Sequence, residues 1–379
     1  MIKNCPVCSN KKFKKIISLN NISEYGLNYQ NNLQDAINYK SVQVNFVECT
    51  QCNFLFNKTY KQLSYNVVYD ANRSFSKKFD DYLDEVILYL DTNIFKKYKI
   101  NRIVEIGYGD ANFLLKLINF NKNILTKFFA YDPSSSITNN DINQKNLKLF
   151  KKYYTKKDVV KPDLIILRHT LEHISNVKKF IKLILNERPK FIFIEVPCKS
   201  YVYNDNIHLY NNEHCSYFDS YSLQVLLKNE GYKKISMKKF FNGENLLSIF
   251  IKSDEKIKLI NDEHTITPKH NLRDFKKKIL NNFNFKYDFF WGTSGKGVTL
   301  LNVLNITYKK APYIVDMNKN IQGKFICLSG AKIISPDSLQ KYIHKKSKIF
   351  IMNKVYKDEI KKTLLKLKLK NNVYSLFSN

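Results

Sequence analysis

The feature that most constrains this chain is "RIVEIGYGDANFLLKLI", residues 102–118. An apolar run, two closely spaced glycines and then apolar residues at helical spacing read as a buried strand (Ile103–Ile106), a tight turn, and a helix from about Asp110. Strands that are apolar throughout belong to sheets covered on both faces, which points to α/β architecture. "FFAYDPS", "DLIILRH" and "FIFIEVP" repeat the strand pattern downstream, with helical patterns between them. The expectation is a doubly wound, Rossmann-like sheet.

The turn carries the first chemistry. Gly107 and Gly109 let backbone approach a ligand where a Cβ would obstruct it. Glu105 ends the first strand and Asp132 ends the next, so both carboxylates would project over one crevice at the carboxyl edge of the sheet. One suits a ribose, the other an amine. Two acids beside the turn disfavour a pyrophosphate and favour a cationic adenosine-bearing cofactor, S-adenosylmethionine. The third small position is Ala111, where glycine is usual. Arg168 and His169 follow the "DLIIL" strand at the same edge and are candidate cofactor contacts.

The cysteines make a second constraint. "CPVC" (Cys5, Cys8) and "CTQC" (Cys49, Cys52) are two-residue knuckles, and together they can close a four-thiolate structural zinc site. Such a site has no open position, so the ion would hold structure and not catalyse. The stretch between the knuckles must fold as a loop or hairpin. Cys198, Cys215 and Cys327 are isolated and read as buried bystanders.

A formal charge of +30 raises nucleic acid as a partner, but the excess is lysine spread through every segment, with only five arginines. A polyanion site would cluster charge and favour arginine, so a small substrate is expected, with no nucleic acid. No apolar run is long enough for a membrane helix, and the start "MIKNCPVC" has no signal-like core. The expectation is a soluble cytoplasmic protein with no membrane partner; oligomeric state is unreadable.

"YNNEHCSYFD", residues 210–219, places Glu213 beside His214 in polar sequence after the "FIEVP" strand. A segment there reaches over the carboxyl edge. A metal site would want further ligands at coordination spacing, which "EH" alone does not supply. The functional reading is a general base for proton abstraction; the bland one is a solvated loop pair. His173 in "RHTLEHI" lies at the same edge. Towards the C-terminus, "FFWGTSGKGVTLLNVL" and "PYIVDMNKNIQGKF" start a second α/β pattern. There Gly292, Gly295, Gly297 and Lys296 could cradle a phosphate or form a purely structural turn.

"VEIGYGDANFLLKL", "YDPS", "LIILRHTLEHI", "FIFIEVP", "EHCSYF", "GTSGKGVTLLN" and "VDMNKNIQGK" together resemble class I SAM-dependent methyltransferases, in the order seen in the sugar C-methyltransferase family. The resemblance covers nearly the whole chain. It implies a zinc-binding domain over 1–66, a SAM domain over 67–255, and a smaller Rossmann-like domain over 256–379 that closes the cleft. It also implies a Glu-His pair at the catalytic centre, with His214 the favoured base, Glu213 its partner and His173 near substrate. The implied substrate is a nucleotide-linked keto-sugar methylated at carbon. Two positions depart from the family: Asn212 stands where a tyrosine is typical, and "RHTLEHI" replaces an asparagine-rich segment. "LEHI" is common in methyltransferases acting on oxygen or nitrogen. The alternatives are therefore O- or N-methylation of a sugar or metabolite, an RNA methyltransferase, or a non-catalytic binding protein of the same fold.

Overall fold

The computed structural model describes residues 1–65, 75–121, 125–204, 207–260 and 271–376, the side chain of His208 excepted. The expected boundary at residue 66 and the segment leading into the last part lie outside the described residues. The described residues build three sheets, with strands numbered in chain order.

The first sheet runs β1-β2-β3-β9. Strand β1 (Phe13–Ser23) pairs antiparallel with β2 (Ser41–Cys49), which pairs with β3 (Leu55–Asn57). Alternation explains the long hairpin: Ile17, Leu19, Val44 and Phe46 turn inward while lysines and asparagines turn out. Register sets Phe13 opposite Cys49, so the second cysteine knuckle lands beside the first. Each knuckle closes the same way. Ser9 N–H donates to the Cys5 carbonyl at 2.9 Å and Asn53 N–H to the Cys49 carbonyl at 3.0 Å. Both residues are left-handed, with φ of 66° and 59°. The fourth strand, β9 (Ser216–Tyr217), comes from far along the chain and directly follows the Glu213–His214 loop.

The second sheet has seven strands, in the order β10-β11-β8-β7-β4-β5-β6. Strands β4 (Arg102–Ile106), β5 (Lys127–Tyr131), β6 (Leu147–Phe150), β7 (Leu164–Arg168) and β8 (Phe191–Pro197) are mutually parallel. The hairpin β10 (Tyr232–Phe240) and β11 (Asn245–Lys252) adds an antiparallel neighbour to β8. Alternate residues serve the two faces: Ile103, Phe128, Ile166 and Phe193 pack under helices Lys77–Leu90 and Asn112–Phe120, while Val104, Ile165 and Ile194 face the other way. The chain runs outward from β4 in both directions, so the order reverses there and a crevice opens beyond its carboxyl end. The helix expected from about Asp110 begins at Asn112. Ala111 before it is fully buried with φ 59°, a left-handed position, which is the physical reason glycine is usual there.

The third sheet is parallel throughout, β14-β13-β12-β15-β16. It comprises β12 (Phe289–Trp291), β13 (Tyr313–Val315), β14 (Lys332–Ile334), β15 (Lys348–Ile351) and β16 (Asn372–Ser375). Its helix Gly295–Leu304 packs into the first sheet: Val298, Leu301 and Leu304 share one core with Ile17, Leu19, Phe46, Tyr210 and Tyr217. Asn302 binds both sides, accepting from Ser23 N–H at 3.0 Å and donating to the Cys327 carbonyl at 3.1 Å.

A buried lysine joins the first two sheets. Lys199 Nζ contacts Glu48 at 3.0 Å, Asp219 at 2.5 Å and the Asn53 carbonyl at 2.7 Å. Its replacement by methionine leaves two interior carboxylates without a cation. Lys199→Met is expected to lower stability by about 3–5 kcal/mol, read as a fall in the urea midpoint.

Candidate functional site

The crevice beyond β4 gathers charge on one face of the sheet. Glu105, Arg168 and Glu195 end neighbouring strands and point under helix Lys77–Leu90, because each occupies the same phase of the strand alternation. Arg168 Nε donates to Glu195 Oε2 at 2.6 Å, and the guanidinium lies 4.0 Å from the centre of the Phe113 ring. Tyr82 donates to Glu195 Oε1 at 2.6 Å and accepts from Asn245 at 2.9 Å. Burial alone would raise the Glu195 carboxyl, but Arg168 and His169 outweigh it and hold it well below the usual range. Glu105 goes the other way. It is buried, which pushes it up to about 8 although Arg168 pulls it down.

Glu105 Oε2 and Arg168 Nη2 are both buried without a hydrogen-bond partner. Two orphaned atoms of opposite character beside a glycine turn ask for a ligand carrying both signs. The turn has the matching shape. Gly107, at φ 84°, could carry no Cβ without striking Thr170 Oγ1 at 2.2 Å, whereas a Cβ on Gly109, at φ 55°, would meet nothing within 4 Å. Gly107 is thus required by packing, and Gly109 borders open space. Asp132 follows β5 and ties the turn down: Oδ2 accepts from Gly109 N–H at 2.9 Å, and Oδ1 from Ser134 N–H and Oγ at 2.8 and 2.7 Å. These residues fit the amino-acid and ribose ends of S-adenosylmethionine.

Just after β7, His169 is left-handed, at φ 47°, with Nε2 3.0 Å from Glu195 Oε1 and Nδ1 3.3 Å from Glu172 Oε1. Burial opposes its charge, but the two carboxylates win and raise it to about 9. The turn Leu171–His173 then carries His173 to the Glu213–His214 loop. His173 Nδ1 lies 3.0 Å from the Glu213 carbonyl oxygen and 2.9 Å from the Tyr65 hydroxyl, and its ring meets that of His214 at 5.0 Å, edge to face. Desolvation holds His173 below its ordinary range, hence neutral.

Glu213 sits where all three sheets converge. It is 2% exposed, and burial pushes it up to about 8 against the pull of the Gly26 and Leu27 amides. A Cβ on Gly26 would strike Glu213 Oε2 at 2.9 Å and Gly295 Cα at 3.3 Å, so the N-terminal loop, the Glu213–His214 loop and the third sheet's glycine turn touch at one point. Asn211 accepts from His214 N–H at 2.7 Å, and Asn212, where the family has tyrosine, donates to the Glu24 carbonyl at 3.0 Å.

The structure therefore brings Glu105, Gly107, Gly109, Asp132, Arg168 and His169 to one crevice, and His173, Glu213 and His214 to its edge. Cys5, Cys8, Cys49 and Cys52 gather elsewhere, their sulfurs within 4.8 Å of one another. Cys5–Cys52 and Cys8–Cys49 stand 3.5 Å apart, close to the ~3.8 Å of thiolates around tetrahedral zinc. Tyr65 joins the site with no motif to announce it, and Glu172 and Glu195, which lie within "RHTLEHI" and "FIFIEVP", join it although neither is a candidate from the sequence. The phosphate role open to Lys296 has a competitor: its ammonium pairs with Glu244, which also accepts from Asn353 at 2.9 Å. Gly297 is explained by packing, since a Cβ there would strike the Gly292 carbonyl at 2.2 Å.

Residues 71–237 match a methyltransferase domain and residues 270–371 a C-methyltransferase C-terminal domain. The chain is a class I SAM-dependent methyltransferase of the C-methyltransferase type. No curated protein matches it. Among solved structures it is similar to the N-methyltransferase NodS from Bradyrhizobium japonicum WM9, at 11% identity and TM-score 0.33, over 46% of this chain and 98% of that one. It is also similar to the plantazolicin methyltransferase BpumL with bound SAH, at 13% identity and TM-score 0.37, over 48% and 86%. A third is the magnesium protoporphyrin IX methyltransferase ChlM from Synechocystis PCC 6803, at 10% identity and TM-score 0.37, over 50% and 91%. These likenesses are too distant to speak to substrate. Among the described residues no helix is long and apolar enough to cross a membrane.

Two carboxyls held near 8 fix a pH dependence. The unfolded chain releases these protons near 4.5 and the folded protein near 8, so between those values the folded state binds more protons and stability falls as pH rises. Thermal melts from pH 5 to 9 are expected to show this decline, on the order of a few kcal/mol. Glu213→Gln and Glu105→Gln should each flatten it and melt above the parent at pH 8.5.

Proposed function

We propose that this methyltransferase transfers a methyl group to carbon in a nucleotide-linked keto-sugar, and that Glu213, His214 and His173 handle the proton. The observation that carries the reading is the meeting of the buried Glu213 and the half-buried His214 with a neutral histidine beside the cofactor crevice, together with a match to a C-methyltransferase C-terminal domain. A carbon beside a ketone must lose a proton before it can attack. His214 takes that proton, Glu213 holds the loop in place through the Gly26 and Leu27 amides, and His173 fixes the loop through the Glu213 carbonyl.

S-adenosylmethionine, when bound, supplies an electrophilic methyl group. Glu105 would hold its ammonium, Arg168 its carboxylate and Asp132 its ribose, with Gly107 and Gly109 shaping the turn beneath and His169 keeping Arg168 and Glu195 in place. Most of the rate would come from positioning and the rest from the base. We divide the chain as 1–66, 67–255 and 256–379, with a structural zinc ion on Cys5, Cys8, Cys49 and Cys52. The zinc-bearing sheet supports the catalytic loop through β9.

A second reading, methylation at oxygen or nitrogen, is favoured by "LEHI". Deuterium separates the two. With nucleotide-linked keto-sugars in D2O, the enzyme should exchange the α-carbon proton, and His214→Gln should lower both exchange and kcat by about 10²–10⁴-fold. A methylated oxygen or nitrogen in the product, with no exchange at carbon, would sink the carbon assignment. Asp132→Ala is expected to weaken donor binding by about 10–100-fold in calorimetry while zinc content stays at the parent's value. Undiminished donor affinity would overturn the crevice assignment.

A further inference from the structure

Glu172 is fully buried on the short turn after β7, and its Oε2 has no hydrogen-bond partner. Two imidazoles stand beside it. Ligand atoms of Glu172, His173 and His214 all lie within 4.8 Å of one another. The linear sequence hides this group, because His214 alone lacks partners at coordination spacing and the other two arrive from a different loop.

We propose that Glu172, His173 and His214 form a capture site for a divalent transition-metal ion of the zinc class. The orientation of His173 supports it. Its Nδ1 lies 3.0 Å from a backbone carbonyl, which can only accept, so Nδ1 carries the proton and the neutral ring keeps its lone pair on Nε2. A backbone carbonyl on the far nitrogen is the usual device for aiming an imidazole at a metal. First-row ions hold ligands at about 2.1 Å, hence about 3–4 Å from each other, so the side chains need to draw in by about an ångström. Two imidazoles and a carboxylate suit zinc, cobalt or nickel and disfavour magnesium and calcium. Three protein ligands leave a position open, unlike the closed four-thiolate cluster.

The site's consequence for turnover rests on the proposed function. A metal and a proton compete for the same His214 lone pair, so a captured ion silences the base. The experiment uses full-length protein whose cysteine site is already filled with zinc. Cobalt(II) titration is expected to add one equivalent with weak visible bands and no thiolate charge-transfer band, displaceable by zinc. His214→Asn and Glu172→Gln should each weaken this binding at least tenfold, with the cysteine-bound zinc retained. The same ion should inhibit methyl transfer in parallel with its binding, reversibly on adding a weak chelator. Absence of the extra equivalent in the parent, or unchanged binding in both variants, overturns the site. Stoichiometric binding with undiminished transfer leaves the site standing and overturns His214 as the base.

Discussion

A guanidinium held between carboxylates organises the carboxyl edge of the central sheet. Arg168 ends β7 directly opposite Glu195 near the end of β8, so their 2.6 Å contact is enforced by strand pairing and not by side-chain reach alone. Each charge would be untenable in that interior without the other. From this pair the rest follows. Arg168 tempers the burial of Glu105, Glu195 keeps His169 charged, and Tyr82 with Asn245 anchors the group to the overlying helix and to β11. The unsatisfied atoms left on Glu105 and Arg168 are thereby fixed in place by their neighbours.

The second organising point is Glu213. Its carboxyl touches backbone from the N-terminal loop, and that loop touches the glycine turn of the third sheet. Gly26 could not take a side chain without pushing this junction apart, since a Cβ there would strike Glu213 Oε2 at 2.9 Å. The Glu213–His214 loop is therefore not a flexible appendage of the methyltransferase sheet. It is built from it, clamped by the other two sheets, and stitched through Asn211 and Asn212.

Much of this was legible in the chain. The strand, turn and helix around Gly107 and Gly109 announce themselves by local periodicity, and Glu105 and Asp132 follow because strand ends share one edge. The cysteine knuckles carry their own spacing rule, and the β1–β2 register explains why a wide gap between them still closes. What was hidden lies in contacts between segments far apart. Glu172 looks like one more turn acid until His214 arrives beside it, and Tyr65 carries no signal at all. Lys296, beside a glycine turn, is drawn to Glu244, a partner on another sheet that no pattern near the turn foretells. Strands β6, β10 and β11 add to those read from sequence, since the lysine-rich β10 lacks the continuous apolar character of its neighbours.

Strand β9 has a consequence for biosynthesis. The first sheet receives its last strand only when residues 216–217 emerge from the ribosome, long after the cysteine knuckles. A nascent chain must hold that sheet open at β3 while most of the central sheet is made. The Glu213–His214 loop is then drawn into shape by the same pairing that finishes the N-terminal sheet, so setting that loop and closing the first-made part of the chain are one event.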